Sequence, residues 1–179
     1  KCGVVKGLAW TQYGGDVLTI EATLIEGKGK LQLTGNLGDV MKESAQIALS
    51  YVKANRDMYG IDSEMFDKYD IHIHIPEGAV PKDGPSAGVT LATAIVSAFT
   101  GKIFKNNCAM TGELTLTGRV LAIGGLREKS LAALQNGVTT IFISNENRRN
   151  VSDLSETVRN SIKFITVNDV SDIIKNVLI

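Results

Sequence analysis

The sequence has no excess of positive charge and no long apolar run, and each absence argues against a class of protein. Lysine plus arginine number 19, as do aspartate plus glutamate, so the formal net charge is zero. Surfaces that bind nucleic acid or anionic lipid normally carry a basic excess, so neither partner is expected. No segment approaches the ~18 consecutive apolar residues of a membrane-spanning helix, so a globular chain without a membrane span is expected.

Cysteine and histidine are also scarce. Cys2 and Cys108 are too few for a disulfide framework and match no metal-binding spacing, so we expect free thiols in a reducing compartment. The histidines are His72 and His74. The sequence starts at Lys1 without a methionine or an apolar signal region, and we therefore expect a fragment of a longer chain.

The residue pattern in the first part of the chain predicts β-strands followed by a helix. The 179 residues, 44% of them hydrophobic, suit one domain with a sizeable core. β-forming runs predict three antiparallel strands, the first two joined by a hairpin at Gly14-Gly15. Apolar residues then recur at helical spacing to near Gly60, with charges on the opposite side, which predicts an amphipathic helix. The predicted strands are 4–11, 17–26 and 30–34, and the helix opens at 36–39.

The rest of the chain alternates between short strands and helices. Glycines end two of the helices, at Gly101 and Gly137, as glycine commonly does. The predicted class is α+β, one compact domain over 1–179 with mixed, largely antiparallel sheets and packed helices. Strands are predicted at 70–76, 108–115, 119–123, 139–144 and 163–167, helices at 87–99, 126–136, 151–160 and 170–177, and a polar loop at 145–150.

One glycine- and proline-rich turn stands out between a strand and a long apolar helix. Its sequence is Pro81-Lys82-Asp83-Gly84-Pro85-Ser86-Ala87-Gly88. This places Ser86 in the first turn of a buried helix, where backbone amides lack intrahelical partners. A hydroxyl there caps the helix or acts as a nucleophile beside an oxyanion site, and the amides would equally bind another anion. The run matches neither a phosphate-binding glycine loop nor the G-x-S-x-G elbow.

Two kinds of base are available to such a serine. His72 and His74 share one face of the predicted strand before the turn, where they could act as bases or, with a third ligand that the sequence does not offer, hold zinc. Lys129 lies on the flank of the apolar face of its helix, about 40° from Ala133. It either extends its ammonium into water or is desolvated, with a lowered pKa that suits a base. From the residues alone, the turn is a nucleophile or an anion site.

Several motifs in one order resemble the proteolytic domain of Lon, the ATP-dependent AAA+ protease, in its bacterial and mitochondrial form. Order and spacing hold from about residue 3 to residue 150. The motifs are Gly3-Val4-Val5, Gly7-Leu8-Ala9-Trp10-Thr11, Gly14-Gly15, Gly38-Asp39-Val40-Met41-Lys42-Glu43-Ser44-Ala45, His72-Ile73-His74-Ile75-Pro76-Glu77-Gly78-Ala79, the turn from Pro81 to Gly88, Met110-Thr111-Gly112-Glu113 and Ile123-Gly124-Gly125-Leu126-Arg127-Glu128-Lys129.

The resemblance implies a Ser–Lys dyad without a metal. Ser86 falls on the family's nucleophile and Lys129 on its general base and acid, so an acyl-enzyme mechanism is expected. Thr111 is expected to orient the lysine, and the backbone amides of Ser86 and Ala87 to form the oxyanion site. Asp83 is left outside the dyad, because a carboxylate beside Lys129 would stabilise the ammonium.

The resemblance also implies what surrounds the domain. The ATPase and substrate-recognition domains would lie upstream of Lys1, so ATP and magnesium would be used there and no cofactor is expected here. The expected partners are unfolded polypeptides, the chain's own ATPase domain and the other subunits of a homo-hexamer. The expected compartment is the bacterial cytoplasm, or the mitochondrial matrix in a eukaryote.

Two other functions compete with a peptidase. A non-catalytic Lon-like binding module would hold an anion or a partner at the Ser86 helix start, but such relatives lack the serine and the lysine that stand here. An RNA-binding or phosphotransfer domain of similar build is disfavoured by the zero net charge and the missing phosphate motif.

Overall fold

A computed structural model describes residues 1–11, 14–78 and 80–179 of the chain. Within that part, the strands are β1 (Val4–Thr11), β2 (Gly14–Glu26), β3 (Leu31–Thr34), β4 (Tyr69–His74), β5 (Cys108–Met110), β6 (Glu113–Leu114), β7 (Val120–Leu121), β8 (Thr140–Ser144) and β9 (Lys163–Val167). The helices are α1 (Asp39–Ala54), α2 (Met65–Lys68), α3 (Gly88–Thr100), α4 (Leu126–Gln135), α5 (Arg148–Val151), α6 (Glu156–Ser161) and α7 (Val170–Val177), with a 3₁₀ turn at Asn145–Asn147.

A mixed sheet runs through the described part of the chain in the order β3-β4-β2-β1-β5-β8-β9, and β6 and β7 form a separate hairpin. β2 is antiparallel to both of its neighbours, β1 and β4, and the remaining pairings of the large sheet are parallel. The α+β prediction with a mixed sheet is confirmed. In the large sheet the two antiparallel ladders, β1 with β2 and β2 with β4, are the longest, whereas β5, β8 and β9 pair in parallel.

The predicted antiparallel pairing of β3 with β2 is wrong. β4 inserts between them, and β3 pairs with β4 in parallel. Asp70 of β4 accounts for this, because its Oδ1 accepts hydrogen bonds from the amides of Lys28, Gly29 and Lys30. The turn before β3 is thereby fixed to β4, and α1 serves as the crossover that parallel strands require.

Helices cover both faces of the sheet. α1, α3 and α7 share one hydrophobic core with Val5 and Ala9 of β1, whereas Leu8 of the same strand packs into a second core with α4 and α6. The alternation along β1 follows from the two-residue period of a strand. α3 is buried along almost its whole length, which explains its continuous apolar sequence.

Several predicted boundaries differ from those observed. The predicted strand 108–115 is interrupted after Met110, because the Gly112 amide donates to the Ser86 carbonyl and thus leaves the sheet. The predicted loop 145–150 is helical, since the Ser144 hydroxyl caps the 3₁₀ turn by accepting from the Glu146 amide.

Four smaller points concern element ends and the membrane prediction. The helix predicted to end near Gly60 ends at Ala54, and the one predicted over 151–160 begins at Glu156. The hairpin turn predicted at Gly14-Gly15 is misplaced, because both glycines belong to β2 and pair with Thr11 and Trp10 of β1. Residues 12–13, and Ala79 of the resemblance motifs, lie outside the described residues. No helix among the described residues has both the length and the apolar character needed to cross a bilayer.

Candidate active site

A cleft of about 660 Å³ opens at the edge of the sheet where β1 and β5 end. It is bounded by the loop before α3, by the segment that follows β7 and by the first turn of α4. The residues that line it include Trp10, Ser86, Ile123, Gly125, Glu128 and Lys129. The predicted nucleophile and the predicted lysine base therefore face the same space.

Ser86 is half-buried and lies just before α3, so its predicted place inside the first helical turn is wrong. The helix begins at Gly88, and Ala87 is its N-cap. The Ser86 carbonyl accepts a hydrogen bond from the Gly112 amide at 3.0 Å instead of joining the helical ladder. This bond delays the start of the helix and leaves the Ser86 side chain on the connecting turn.

The backbone amides of Ser86 and Ala87 have no intramolecular acceptor within the described part of the chain. They lie just ahead of a buried helix of 13 residues, whose N-terminal end carries partial positive charge. An oxyanion in the cleft could accept from such amides. Their assignment as the oxyanion site stays a prediction.

Lys129 is buried in the first turn of α4, with 2% of its surface exposed. Its Nζ donates a hydrogen bond of 3.2 Å to Thr111 Oγ1. Among the described residues it forms no ion pair with a carboxylate. Desolvation therefore acts unopposed and lowers the pKa of Lys129 to about 8. The desolvated alternative is the correct one for this side chain.

Thr111 and Gly112 connect the two halves of the site. Thr111 is fully buried at the end of β5 and holds the amine of Lys129, and the next residue, Gly112, donates its amide to Ser86. A side chain on Gly112 would lie 2.6 Å from Val120 Cγ1, so only glycine fits there. Gly112 has no predicted role in the sequence, although it is the glycine of the Met-Thr-Gly-Glu motif.

Glycines also let the walls of the cleft pack closely. A Cβ on Gly15 of β2 would lie 2.3 Å from the Glu128 carbonyl oxygen, so the β1–β2 hairpin presses against the backbone of α4 beside Lys129. Gly125 has φ +73 and lies under the ring of Trp10, which a Cβ there would meet at 2.9 Å. Both contacts position the helix start that carries the lysine.

The histidines do not belong to the cleft. Thr34 Oγ1 hydrogen bonds to His72 Nε2 at 2.9 Å and to His74 Nδ1 at 2.7 Å, and neither ring lines the space around Ser86. Among the described residues, the cleft therefore offers no Ser–His pair, and the histidine base that the sequence left open is not supported. In the part of the chain that the structure describes, no group of three histidine, cysteine or acidic residues could hold a metal.

Asp83 lines the cleft but engages α1 rather than Lys129. Its Oδ1 accepts from the Met41 amide at 2.9 Å, and amide hydrogen bonds from Met41 and Gly84 lower the pKa of the carboxyl. A Cβ on Gly38 would lie 2.2 Å from the Asp83 Cγ, so glycine there makes room for the carboxylate. The helix N-terminus thus keeps this negative charge bound to α1.

Comparison with known proteins gives one family. The family model described as the Lon protease (S16) C-terminal proteolytic domain matches residues 1–179. Lon protease of Clostridium acetobutylicum is 60% identical over 179 residues, which is 100% of this chain and 23% of that protein. Lon protease of Finegoldia magna is 58% identical over 99% of this chain, and Lon protease 1 of Bacillus subtilis is 54% identical over 99%.

The chain spans 23% of the length of each of these three relatives. The resemblance read from the motifs is confirmed, since the match covers every residue of the chain. The chain belongs to the Lon protease (S16) C-terminal proteolytic domain family.

Proposed function

We propose that this chain hydrolyses peptide bonds with a Ser–Lys dyad in which Ser86 is the nucleophile and Lys129 the general base and acid. One observation carries the proposal. Within the described part of the chain Lys129 is buried without a carboxylate partner, its pKa is lowered to about 8, and it lines the same cleft as Ser86. A lysine base needs this environment, because an ordinary surface ammonium holds its proton too tightly at neutral pH.

The proposed reaction uses two side chains, Ser86 and Lys129, that line the same cleft. The neutral Nζ of Lys129 accepts the proton of Ser86 Oγ as the oxygen attacks the substrate carbonyl. The amides of Ser86 and Ala87 bind the oxyanion, and the Lys129 ammonium then protonates the departing amine. Water cleaves the acyl-enzyme by the same proton transfers.

The two side chains of the proposed dyad are not joined directly in the structure. No hydrogen bond joins Ser86 Oγ to Lys129 Nζ in the described structure, and the amine donates to Thr111 instead. Catalytic hydrogen bonds commonly shorten only in the substrate complex. Thr111 keeps the amine on the cleft side of α4 until Ser86 approaches.

The surrounding protein follows from the family. The relatives are named Lon protease and are more than four times as long as this chain. We extend to this chain a place beside an AAA+ ATPase domain that uses ATP and magnesium, assembly into a homo-hexamer, and unfolded polypeptides as substrates. The bacterial relatives favour the cytoplasm as its compartment.

Labelling with a fluorophosphonate, which reacts with activated serines, tests the dyad. We expect one adduct, on Ser86, and its loss in Ser86→Ala and Lys129→Met. The exposed residues Ser63 and Lys163 offer matched controls, so Ser63→Ala and Lys163→Met should label normally. Full labelling of Lys129→Met would reject lysine as the base.

The same samples, assayed for hydrolysis of an unstructured peptide, separate enzyme from binding module. A binding module would show neither adduct nor turnover in the unaltered chain.

Thr111→Val should lower kcat about tenfold or more while Thr111→Ser retains most of it, because only the serine keeps the hydroxyl that orients the amine.

A further inference from the structure

The described residues 76–78 and 80–87, here called the Ser86 loop, are held to the protein by a buried lysine. Lys82 has 6% of its surface exposed. Its Nζ donates to the carbonyls of Gly35 at 2.8 Å, Glu77 at 2.8 Å and Val80 at 3.1 Å. The three N–H groups of the ammonium are thus all used, and one acceptor lies 47 residues away along the chain.

The backbone of Lys82 strengthens this attachment. Its amide donates to the Asn36 carbonyl at 3.1 Å, and its carbonyl accepts from the Gly38 amide at 2.8 Å. The next side chain, Asp83, accepts from the Met41 amide at the start of α1. Two consecutive residues therefore fix the Ser86 loop to the segment 35–41.

Lys82 also fixes the shape of the loop itself. Glu77 has φ +66, in the left-handed region that residues other than glycine seldom occupy. The Glu77 carbonyl accepts both from the Val80 amide at 3.0 Å and from Lys82 Nζ. The ammonium thus stabilises a turn that the backbone alone disfavours.

We propose that Lys82 is a positioning residue for Ser86, and that its ammonium clamps the Ser86 loop to segment 35–41 and so sets where the serine lies in the cleft. The role rests on the proposed function of Ser86. Only an ammonium supplies three donors at one point, because a glutamine amide supplies two and a methionine none. Ser86 follows Lys82 by one short turn, so loss of the clamp displaces the nucleophile.

Variants at position 82 test the clamp. Lys82→Gln and Lys82→Met should lower the rate of fluorophosphonate acylation and kcat at least tenfold, with KM within about twofold. The acid limb of the pH–rate profile should keep its midpoint, because Lys129 is untouched. The control Lys163→Met lies on an exposed strand position and should behave as the unaltered chain. Acylation at the unaltered rate in both variants would overturn the proposal.

Amide hydrogen exchange separates loop positioning from general destabilisation. Exchange should rise in segments 35–41 and 76–87 and stay unchanged in α4. An equal rise throughout the protein would show that Lys82 is only structural and would overturn the proposal. This measurement needs no activity, so it tests the clamp even if Ser86 proves not to be the nucleophile.

Discussion

At the scale of single residues, Lys129 is a buried amine whose charged form the fold disfavours. Its pKa is lowered from 10.5 to about 8, and each pKa unit is worth about 1.4 kcal/mol. The unfolded chain binds the extra proton between those two pH values, so stability increases with pH across that window. Below pH 8, burial of the charged amine lowers the free energy of unfolding by the full amount of about 3 kcal/mol.

Lys129→Met removes that cost together with the charge. We therefore compare the gain in free energy of unfolding, variant minus unaltered chain, at two pH values. We expect this gain to be about 3 kcal/mol larger at pH 7 than at pH 10.5. Denaturant titrations of both proteins at the two pH values measure this difference. A difference that does not change with pH would mean that the amine is not desolvated in the folded protein.

In the proposed mechanism the same pKa acts on catalysis in the opposite sense. The neutral amine is there the active form, so kcat/KM for a peptide should fall as pH decreases, with a midpoint near 8. Because His72 lies outside the cleft, His72→Gln should leave that midpoint in place. A midpoint near 6.5 that disappears in this variant would indicate a histidine base.

The sequence alone predicted only part of the candidate site. The helical pattern put Lys129 on the flank of an apolar face, but burial depends on Thr111 and on the hairpin that packs against α4 through Gly15. Family resemblance chose Lys129 over the histidines. No local pattern indicated that Gly112 binds the Ser86 carbonyl, since those residues meet only in the folded protein.

At the scale of elements, the wall of the cleft after β7 is held by side chains instead of a strand. Asn147 is 2% exposed, accepts from the Ile123 amide and donates to the Ile123 carbonyl, both at 2.9 Å. Glu146 accepts from the Ala122 amide at 3.1 Å. The side chains of Glu146 and Asn147 thus bind the backbone of residues 122 and 123, just before α4, in the way that a neighbouring strand would.

Asn147→Leu leaves both backbone groups of Ile123 without partners. We expect a loss of about 2 kcal/mol in the free energy of unfolding, together with lower peptidase activity, because the start of α4 is no longer fixed. The exposed residue Asn160 on α6 gives the matched control, and Asn160→Leu should change neither quantity. Denaturant unfolding and peptide turnover measure both. Unchanged stability in Asn147→Leu would show that water replaces the lost bonds.

Element boundaries were easier to predict than element partners. β1, β9 and α7 begin and end where the sequence predicts, because hydrophobic period and turn residues are local signals. The parallel pairing of β3 depends on a carboxylate in β4, and the delayed start of α3 depends on an amide beyond β5. Contacts between distant segments leave no mark in a local pattern.

At the scale of the whole molecule, the chain holds a candidate peptidase site and makes up under a quarter of its relatives' length. We expect the isolated 179 residues to cut an unstructured peptide and to leave a folded protein containing the same segment intact, with or without ATP. Gel analysis of both digests measures this, with Ser86→Ala as the inactive control. Cleavage of the folded substrate at a comparable rate would mean that unfolding is not required.

The parallel crossover from β3 through α1 to β4 has a consequence during synthesis. Lys82 and Asp83 reach partners 47 and 42 residues earlier in the chain, and contacts of such separation form late in folding. The hydroxyl is therefore aligned only after the sheet has acquired its final strand order. On the proposed function, the peptidase site of a newly made chain is therefore assembled only once its own topology is complete.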